Sequence, residues 1–319
     1  MKALGIVIPT HNRPDALLEC LAHLERQTFG DFEVVVVDDG STDSTQSQLQ
    51  DYMEKTPLAI RYTAQQNSGP AKARNRGISL LDAPVCLLLG DDIFASPTLV
   101  ASHMRLHHEY PALDVAALGL TKWSRTGQTI TAFMRWLGQS PFQFAYKDLL
   151  AGVQPDWRHF YTSNVSAKTE LLKKFPFSEE FPFAAMEDSE LGYRLKKQFG
   201  LEIKFIPEAV AYHLHPTTFR QACARMIRVG YSARLFHAIW PEAKPVRSSG
   251  LKQTVKEAIV RRPRLLNFLT EAGDLCTRAL CPNPLMLWAL ICHYEVGYRS
   301  SRDHEGNLVR STKVKCRSA

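Results

Sequence analysis

Three times in its first hundred residues the chain repeats one arrangement: a short apolar run that stops at a polar or acidic cluster. Leu4–Pro9 stops at Thr10-His11-Asn12-Arg13, Val34–Val37 at Asp38-Asp39-Gly40-Ser41, and Val85–Leu89 at Gly90-Asp91-Asp92. Runs this short and this apolar, without alternation, read as buried strands, and Ile60–Thr63 reads as another. Helical spacing fills the intervals. Leu17, Leu21 and Leu24 share one face of a helix over Arg13–Gln27, whose first turn suits Pro14. Ser41-Thr42-Asp43 supplies cap residues for a helix through Tyr52, and a further helix spans about Pro70 to Leu81. Strand and helix alternating at this spacing build a parallel α/β sheet. Ligands of such sheets sit beyond the carboxyl ends of the strands, so the three polar clusters are expected on one edge, facing one pocket.

Farther on, the pattern predicts a helix over Pro97–Glu109 and a strand near Val115–Leu120. Residues 121–165 are rich in aromatic side chains and read as irregular. A strongly patterned helix runs from about Glu187 to Gln198 and stops at Gly200. Ile203–Ile206 and Ala209–His213 read as two strands flanking Pro207. From Thr217 the pattern is helical and basic, with breaks near Pro241–Pro245 and Pro282–Pro284. The Arg- and Lys-rich tail from Ser300 reads as mobile. The expected division is an α/β domain over 1–216 and a helical region over 217–319.

Charge divides in nearly the same place. The net +7 is made of −4 over residues 1–215 and +11 over residues 216–319. A solvated basic helix face accounts for this, and so does a surface for an acidic partner such as anionic lipid, a phosphorylated acceptor or nucleic acid. Seven cysteines without a CxxC pair argue against a disulfide framework and for a reducing compartment. The first apolar run is too short for a signal sequence, and no stretch reaches the ~18 apolar residues of a membrane span. A cytoplasmic protein is expected.

The acidic clusters carry the chemistry. An ionised pair at the end of a Val-rich strand is costly unless it has partners. Asp38 and Asp39 can accept from a base N–H or from ribose hydroxyls; a helix cap followed by a turn is the plainer alternative. Hard divalent cations prefer oxygen ligands shared with water and phosphate. Asp91-Asp92 facing a diphosphate would therefore make an Mg²⁺ or Mn²⁺ site that neutralises a departing diphosphate. One such pair is weak, but a second acidic cluster on the same edge strengthens it. Glu187-Asp188 opens a helix, where the dipole favours anions, so capping competes with a general-base role toward a hydroxyl. His213 and His215 are read as pointing to opposite faces of the last strand, with at most one at the site; imidazole suits a borderline metal such as Mn²⁺.

The segment IVIPTHNRPDALLECLAHLERQTFGDFEVVVVDDGSTDST resembles the opening of a family 2 glycosyltransferase with the GT-A fold. NSGPAKARNRG, LLLGDDI, TSNVSAK and MEDSELGYRL follow in the order of that family's later blocks. Five ordered motifs over about residues 3–215 make the resemblance specific. It implies a Rossmann-like nucleotide-binding mixed sheet flanked by helices, here with a C-terminal helical extension. The nucleotide-sugar-binding half would reach about residue 120, and the acceptor and catalytic half would cover 121–216. It also implies an inverting, direct displacement from a nucleotide-sugar, usually UDP-linked, to a hydroxyl of a glycan, glycolipid or polysaccharide precursor, with help from a divalent cation (Mg²⁺ or Mn²⁺).

By position, the resemblance places Pro9 and Thr10 on the nucleotide with Arg13 nearby. Asp39 would accept from the uracil N3–H while Asp38 holds the loop, and Arg74 would lie near the base or diphosphate. Asp91 matches the last Asp of the family's DxD signature and would meet the metal. Asp92 would contact the donor sugar or cap the next helix, and Asn164 would shape the acceptor side. Asp188 would be the base, with Glu187 second to it, and His213, ahead of His215, a further metal ligand. The sequence departs from the pattern at Leu89, which stands where the first Asp of DxD falls and removes one metal contact.

Aromatic residues between 121 and 161 either stack on acceptor sugars or pack a lid against the sheet. Leu285–Ile291 sits in a stretch without Asp, Glu, Lys or Arg and reads as lying in an anionic membrane interface; docking on the catalytic domain or on another subunit is the alternative. Three other functions compete. A phosphoacceptor receiver domain has no role for the PTHNRP and EDSELGYR blocks. A nucleotidyltransferase usually carries a Gly-rich basic loop after its first strand, and none follows Leu4–Pro9. A non-catalytic sugar- or lipid-binding module has no need of Asp188 and Asp91. A nucleotide-sugar donor and a glycan or lipid-linked acceptor are the expected partners, and nucleic acid is not.

Overall fold

The computed structural model describes residues 1–243, 251–277 and 281–300, so the basic tail beyond Ser300 and part of the break near Pro245 lie outside the described residues. The elements in chain order are β1 (Leu4–Thr10), α1 (Pro14–Glu25), β2 (Phe32–Asp38), α2 (Thr45–Met53), β3 (Ile60–Ala64), α3 (Pro70–Ser79), β4 (Val85–Leu89), β5 (Ile93–Ala95), α4 (Leu99–Glu109), β6 (Val115–Trp123) and α5 (Ala132–Leu137). There follow α6 (Tyr146–Leu150), β7 (Asn164–Lys168), α7 (Thr169–Lys174), α8 (Glu187–Phe199), β8 (Glu202–His213), α9 (Phe219–Ile239), α10 (Leu251–Val260), α11 (Pro263–Thr277) and α12 (Pro284–Ser300). Residue contacts group Met1–Ile130 with Leu137–Pro216 in one unit, and Thr131–Trp136 with the residues from Thr217 onward in another.

The first unit is a mixed sheet with strand order β3-β2-β1-β4-β7-β6-β8-β5 among the described residues. β1, β2, β3 and β4 run parallel, whereas β7 is antiparallel to both of its neighbours and β5 is antiparallel to β8. Helices cover both faces, which explains why the strand runs are apolar throughout instead of alternating. Ile6, Ile8, Val34, Val36, Leu87 and Leu89 pack toward α1 and α4. Their neighbours Val7, Val35, Val37, Cys86 and Leu88 point the other way and pack against α3, α7 and α8, as the two-residue period of a strand requires.

Several local expectations are corrected. Two strands, β5 and β7, lie where the sequence predicts none. Ile93–Ala95 is too short to show a pattern, and Asn164-Val165-Ser166 interrupts any apolar pattern with polar residues. The stretch 121–165 is not wholly irregular: it holds the end of β6, two short helices, a single turn at Trp157–His159 and the start of β7. The two strands expected around Pro207 are one, β8. Its register against β6 slips between Gly119 and Leu120, leaving Pro207 through Ala209 without partners in that ladder, so the missing proline N–H costs no sheet hydrogen bond.

In the second unit α12 packs against α9 and α11. The approach to α9 is close enough that a Cβ on Gly297 would stand 1.9 Å from the Ile227 carbonyl oxygen. Met286, Ala289, Leu290 and Cys292 are fully buried. The segment Leu285–Ile291 is thus divided: Met286, Ala289 and Leu290 face the interior of this unit, while Leu285 and Ile291 are each 40% exposed. On α11 Phe268 is 68% and Leu275 69% exposed, with Leu265 at 40%. No described helix is long and apolar enough to cross a membrane.

The polar residues of β7 are satisfied from α4. His103 meets Ser166 Oγ through Nδ1 at 2.7 Å and Asn164 Oδ1 through Nε2 at 2.9 Å, and His107 Nε2 lies 2.9 Å from the same Ser166 hydroxyl. Burial pushes His103 down to about 4; burial, joined by the Lys168 and His103 charges, pushes His107 down to about 3. In the unfolded chain both titrate near ~6.5. Between these values the unfolded state holds more protons, so the stability these neutral imidazoles confer is complete above ~6.5 and is lost as pH falls toward ~4, by up to ~1.4 kcal/mol per unit for each. Urea unfolding is expected to show lower stability at about pH 5 than at about pH 7, with a smaller difference in His103→Asn; equal pH dependence in the two proteins would contradict this.

Candidate functional site

The carboxyl ends of β1, β2 and β4 bring the three polar clusters to one edge, as the alternation of strand and helix predicts. The loop after β2 is held by its own carboxylates. Asp38 Oδ1 accepts from the Ser41 amide at 2.8 Å and Oδ2 from the Tyr62 hydroxyl at 3.2 Å. Asp39 is buried at the base of the 65–69 loop. Its Oδ1 accepts from Gln65 Nε2 at 2.8 Å and the Ser68 amide at 2.9 Å, and Oδ2 from the Gly69 amide at 2.8 Å. A carboxylate oxygen has two acceptor sites, so Oδ2 keeps capacity for one further donor. Between the two loops Gly40 lies at φ +78°, and a Cβ there would meet the Asn67 amide nitrogen at 2.6 Å, so the position requires glycine.

The first loop locks onto the second. Asn12 takes the left-handed conformation (φ 53°) that asparagine tolerates. Its amide donates to Ser41 Oγ at 2.9 Å, and its Oδ1 accepts from the Thr42 amide at 2.8 Å. Gln65 did not stand out in the sequence, and Asn12 did so only as a member of the Thr10–Arg13 cluster. The signal for Asn12 was its place between a strand-ending Pro-Thr and a helix-starting Pro, and for Gln65 the Asn-Ser-Gly-Pro turn just beyond it.

After β4, Asp91 and Asp92 are both buried, at 6% and 9% exposed. Thr10 Oγ1 donates to Asp91 Oδ2 at 2.8 Å. Arg13 Nη1 reaches Asp91 Oδ1 at 3.3 Å and Asp92 Oδ2 at 2.7 Å. His213 Nε2 and His215 Nδ1 both lie 3.4 Å from Asp92 Oδ2. Burial and the adjacent Asp92 charge push Asp91 up. Burial would raise Asp92 too, but the histidines and Arg13 hold it well below the usual carboxylate range. Burial lowers Arg13 while the two carboxylates raise it, and the carboxylates prevail.

Both histidines face this site, contrary to the expectation of opposite faces. Residues two apart in a strand share a side, and here β8 ends at His213, leaving His215 to follow in the loop. Their rings stack at 5.1 Å, and Trp123 also stacks on His213, at 5.4 Å. Among the described residues Asp92, His213 and His215 place one ligand atom each within 4.8 Å of one another. A carboxylate with two imidazoles fits a borderline divalent cation, and His213 Nδ1 is buried without a hydrogen-bond partner. Asp91, the residue matched to the family's metal contact, is outside that group and is engaged by Thr10 and Arg13.

The other candidates fall as follows. Pro9 is half-buried at the end of β1. Arg74 is buried, and its Nη1 donates to Glu187 Oε1 at 2.8 Å while the guanidinium lies over the Phe177 ring. Glu187 Oε2 is buried without a hydrogen-bond partner. Asp188, next in α8, is half-buried and accepts from the Ser189 amide at 2.7 Å. The residue before the pair, Met186, is held at φ +71°, an unfavourable conformation for a non-glycine residue. Asn164 is fully buried, bonded to His103 and through Nδ2 to the Ala209 carbonyl at 2.9 Å; its side chain braces the sheet. Of the aromatic residues in 121–161, Phe160 and Tyr146 are core, and Trp123 and Phe144 lie against His213.

Residues 5–157 match the family described as Glycosyl transferase family 2. The chain is 31% identical over 260 residues to validoxylamine A glucosyltransferase from Streptomyces hygroscopicus subsp. jinggangensis, an alignment covering 70% of this chain and 60% of that protein. It is 30% identical over 247 residues to chondroitin synthase from Escherichia coli, covering 67% of this chain and 35% of that one. The chain thus spans less than two thirds of the length of these relatives. Among solved structures it resembles the mannosyltransferase PcManGT from Pyrobaculum calidifontis in complex with GDP-Man and Mn²⁺, with a TM-score of 0.64, 18% identity and coverage of 95% of this chain and 88% of that one. The shared fold is GT-A, the mixed sheet flanked by helices described above.

Proposed function

We propose, on the premise that this chain belongs to the family 2 glycosyltransferases, that it moves a sugar from a nucleotide-sugar to a hydroxyl of a glycan, glycolipid or polysaccharide precursor by direct, inverting displacement. One observation carries this reading: the Asp39 cradle after β2 and the Asp91-Asp92 pair after β4, faced by His213 and His215, stand on one edge of the sheet. In this reading the remaining acceptor capacity of Asp39 takes a base N–H, with Pro9 and Thr10 beneath the nucleotide. Arg13 meets the diphosphate. Asp92, His213 and His215 would hold a divalent cation, Mn²⁺ being favoured over Mg²⁺ by the imidazoles. That ion would supply charge neutralisation for the departing diphosphate.

Asp188 removes the proton from the acceptor hydroxyl. Glu187 is the poorer candidate because its carboxylate is buried and already paired with Arg74 at 2.8 Å. Arg74 and Glu187 then set the position of α8, and with it Asp188, instead of touching the donor. A UDP-linked donor is the family's usual one; the GDP-Man bound by the archaeal structural relative makes GDP the alternative.

We place the protein in the cytoplasm, a reading supported by cysteines that are free wherever they are described. It would touch the inner face of an anionic membrane through α11, where Leu265, Phe268 and Leu275 are exposed close to Arg261, Arg262 and Arg264. This combination suits interfacial binding.

Calorimetry with UDP and GDP should show one of them binding with help from Mn²⁺, less tightly in EDTA, and more weakly in Asp39→Ala; binding indifferent to both metal and mutation would refute the pocket. Asp188→Asn should bind donor nearly as wild type yet lower turnover by ~10²–10⁴-fold, and near wild-type turnover would place the base elsewhere. Flotation with anionic liposomes should carry the protein upward at low salt, less so for Phe268→Ser with Leu275→Ser. No flotation of the unaltered chain would remove the membrane from the proposal.

A further inference from the structure

Asp92 Oδ2 is approached by three groups at once: Arg13 Nη1 at 2.7 Å and the His213 and His215 ring nitrogens at 3.4 Å each. The oxygen that a cation would share with the two imidazoles is thus the one already gripped by a guanidinium. The same Nη1 also reaches Asp91 Oδ1 at 3.3 Å, so one arginine answers both buried carboxylates. The Arg13 side chain is 44% exposed, against 9% and 13% for its two acidic partners. It comes to the pair from the solvent side and has a way out.

We propose that Arg13 is a resident counter-ion that exchanges places with the divalent cation. In the nucleotide-free protein its guanidinium offsets one of the two charges of Asp91 and Asp92 and holds the cation off by like-charge repulsion. When a nucleoside diphosphate enters, the planar guanidinium transfers its paired hydrogen bonds to phosphate oxygens, for which its geometry is suited. The carboxylate is then released to the cation. Leu89, two residues before Asp91, is apolar and buried, so the end of β4 presents two carboxylates and one guanidinium cancels half of their charge. The proposal rests on the reading of this pocket as a metal and nucleoside diphosphate site, and it adds an order of events and a residue that couples the two ligands.

The exchange predicts opposite shifts in two affinities, which a merely structural role for Arg13 would not produce. In Arg13→Gln, Mn²⁺ titrated into the full-length, nucleotide-free chain and followed by the loss of its free paramagnetic resonance signal should bind ~10-fold or more tightly than in wild type, the order expected from removing one charge a few ångströms away near a protein surface. UDP or GDP in EDTA should bind more weakly by a comparable factor. Arg13→Lys, which keeps the charge, should hold Mn²⁺ close to the wild-type affinity, and Arg13→Met serves as a second uncharged variant if Arg13→Gln folds poorly. Both affinities falling together, or an unchanged Mn²⁺ affinity, would overturn the exchange. Adding Asp92→Asn to Arg13→Gln separates the two layers of inference. If the Mn²⁺ affinity survives that change, the ion is held elsewhere and the metal-site reading falls with the proposal. If Mn²⁺ needs Asp92 in every background yet ignores Arg13, the site stands and the exchange alone is wrong.

Discussion

Two carboxylates adjacent in sequence and both buried at the end of an interior strand cannot stay ionised without compensation. The architecture around β4 answers that demand. β1 is hydrogen-bonded beside β4 and ends at the same edge, which delivers Thr10 to Asp91 and Arg13 to both acids. Immediately after Asp92 the chain turns into β5, whose Ile93 pairs with His213 at the end of β8, and the Leu214 amide donates to the Asp92 carbonyl at 2.9 Å. That register alone brings two imidazoles onto a carboxylate more than a hundred residues earlier. A slip of one residue would turn His213 away and leave Asp92 with only Arg13.

The same principle, charge answered across loops, extends over the rest of the edge. Asp39 gathers three donors from the 65–69 loop, Asn12 bridges to Ser41 and Thr42, and Arg74 ties α3 to the start of α8 through Glu187. In the proposed site these bonds would hold the loops in place before any ligand arrives, which lowers the ordering cost of binding. They also separate tasks within each acidic pair. In Asp38-Asp39 one member closes a turn and the other holds a neighbouring loop. In Glu187-Asp188 one is committed to a buried arginine and the next is only half-buried. In Asp91-Asp92 one is engaged by a hydroxyl and the other by two histidines.

Much of this was legible in advance, and the reasons for the failures are specific. The parallel half of the sheet could be read because buried strands write continuous apolar runs and their polar ends mark one edge. β7 could not, since its Asn164 and Ser166 are polar side chains satisfied by His103 and His107 from a helix some sixty residues away. Asn164, expected near an acceptor, is sealed in that network. Absence of charge marks a buried helix face and a lipid-facing one alike, so the sequence could not tell which side chains of Leu285–Ile291 turn inward; packing against α9 and α11 selects Met286, Ala289 and Leu290.

The sequence by itself determined the family, the sheet edge at which the polar clusters gather, and the acidic residues found there, because these depend on short-range patterns: apolar runs, the polar residues that end them, and the order of five motifs. Which acid meets which partner was decided only by the tertiary structure. Asp92 rather than Asp91 faces the histidines, both histidines face it, Arg13 stands on the oxygen they share, and Arg74 is spent on Glu187. Each of these pairings joins residues seventy-nine to one hundred and twenty-three positions apart. No local pattern encodes distances of that kind; they follow from strand order and register, which exist only once the sheet has formed.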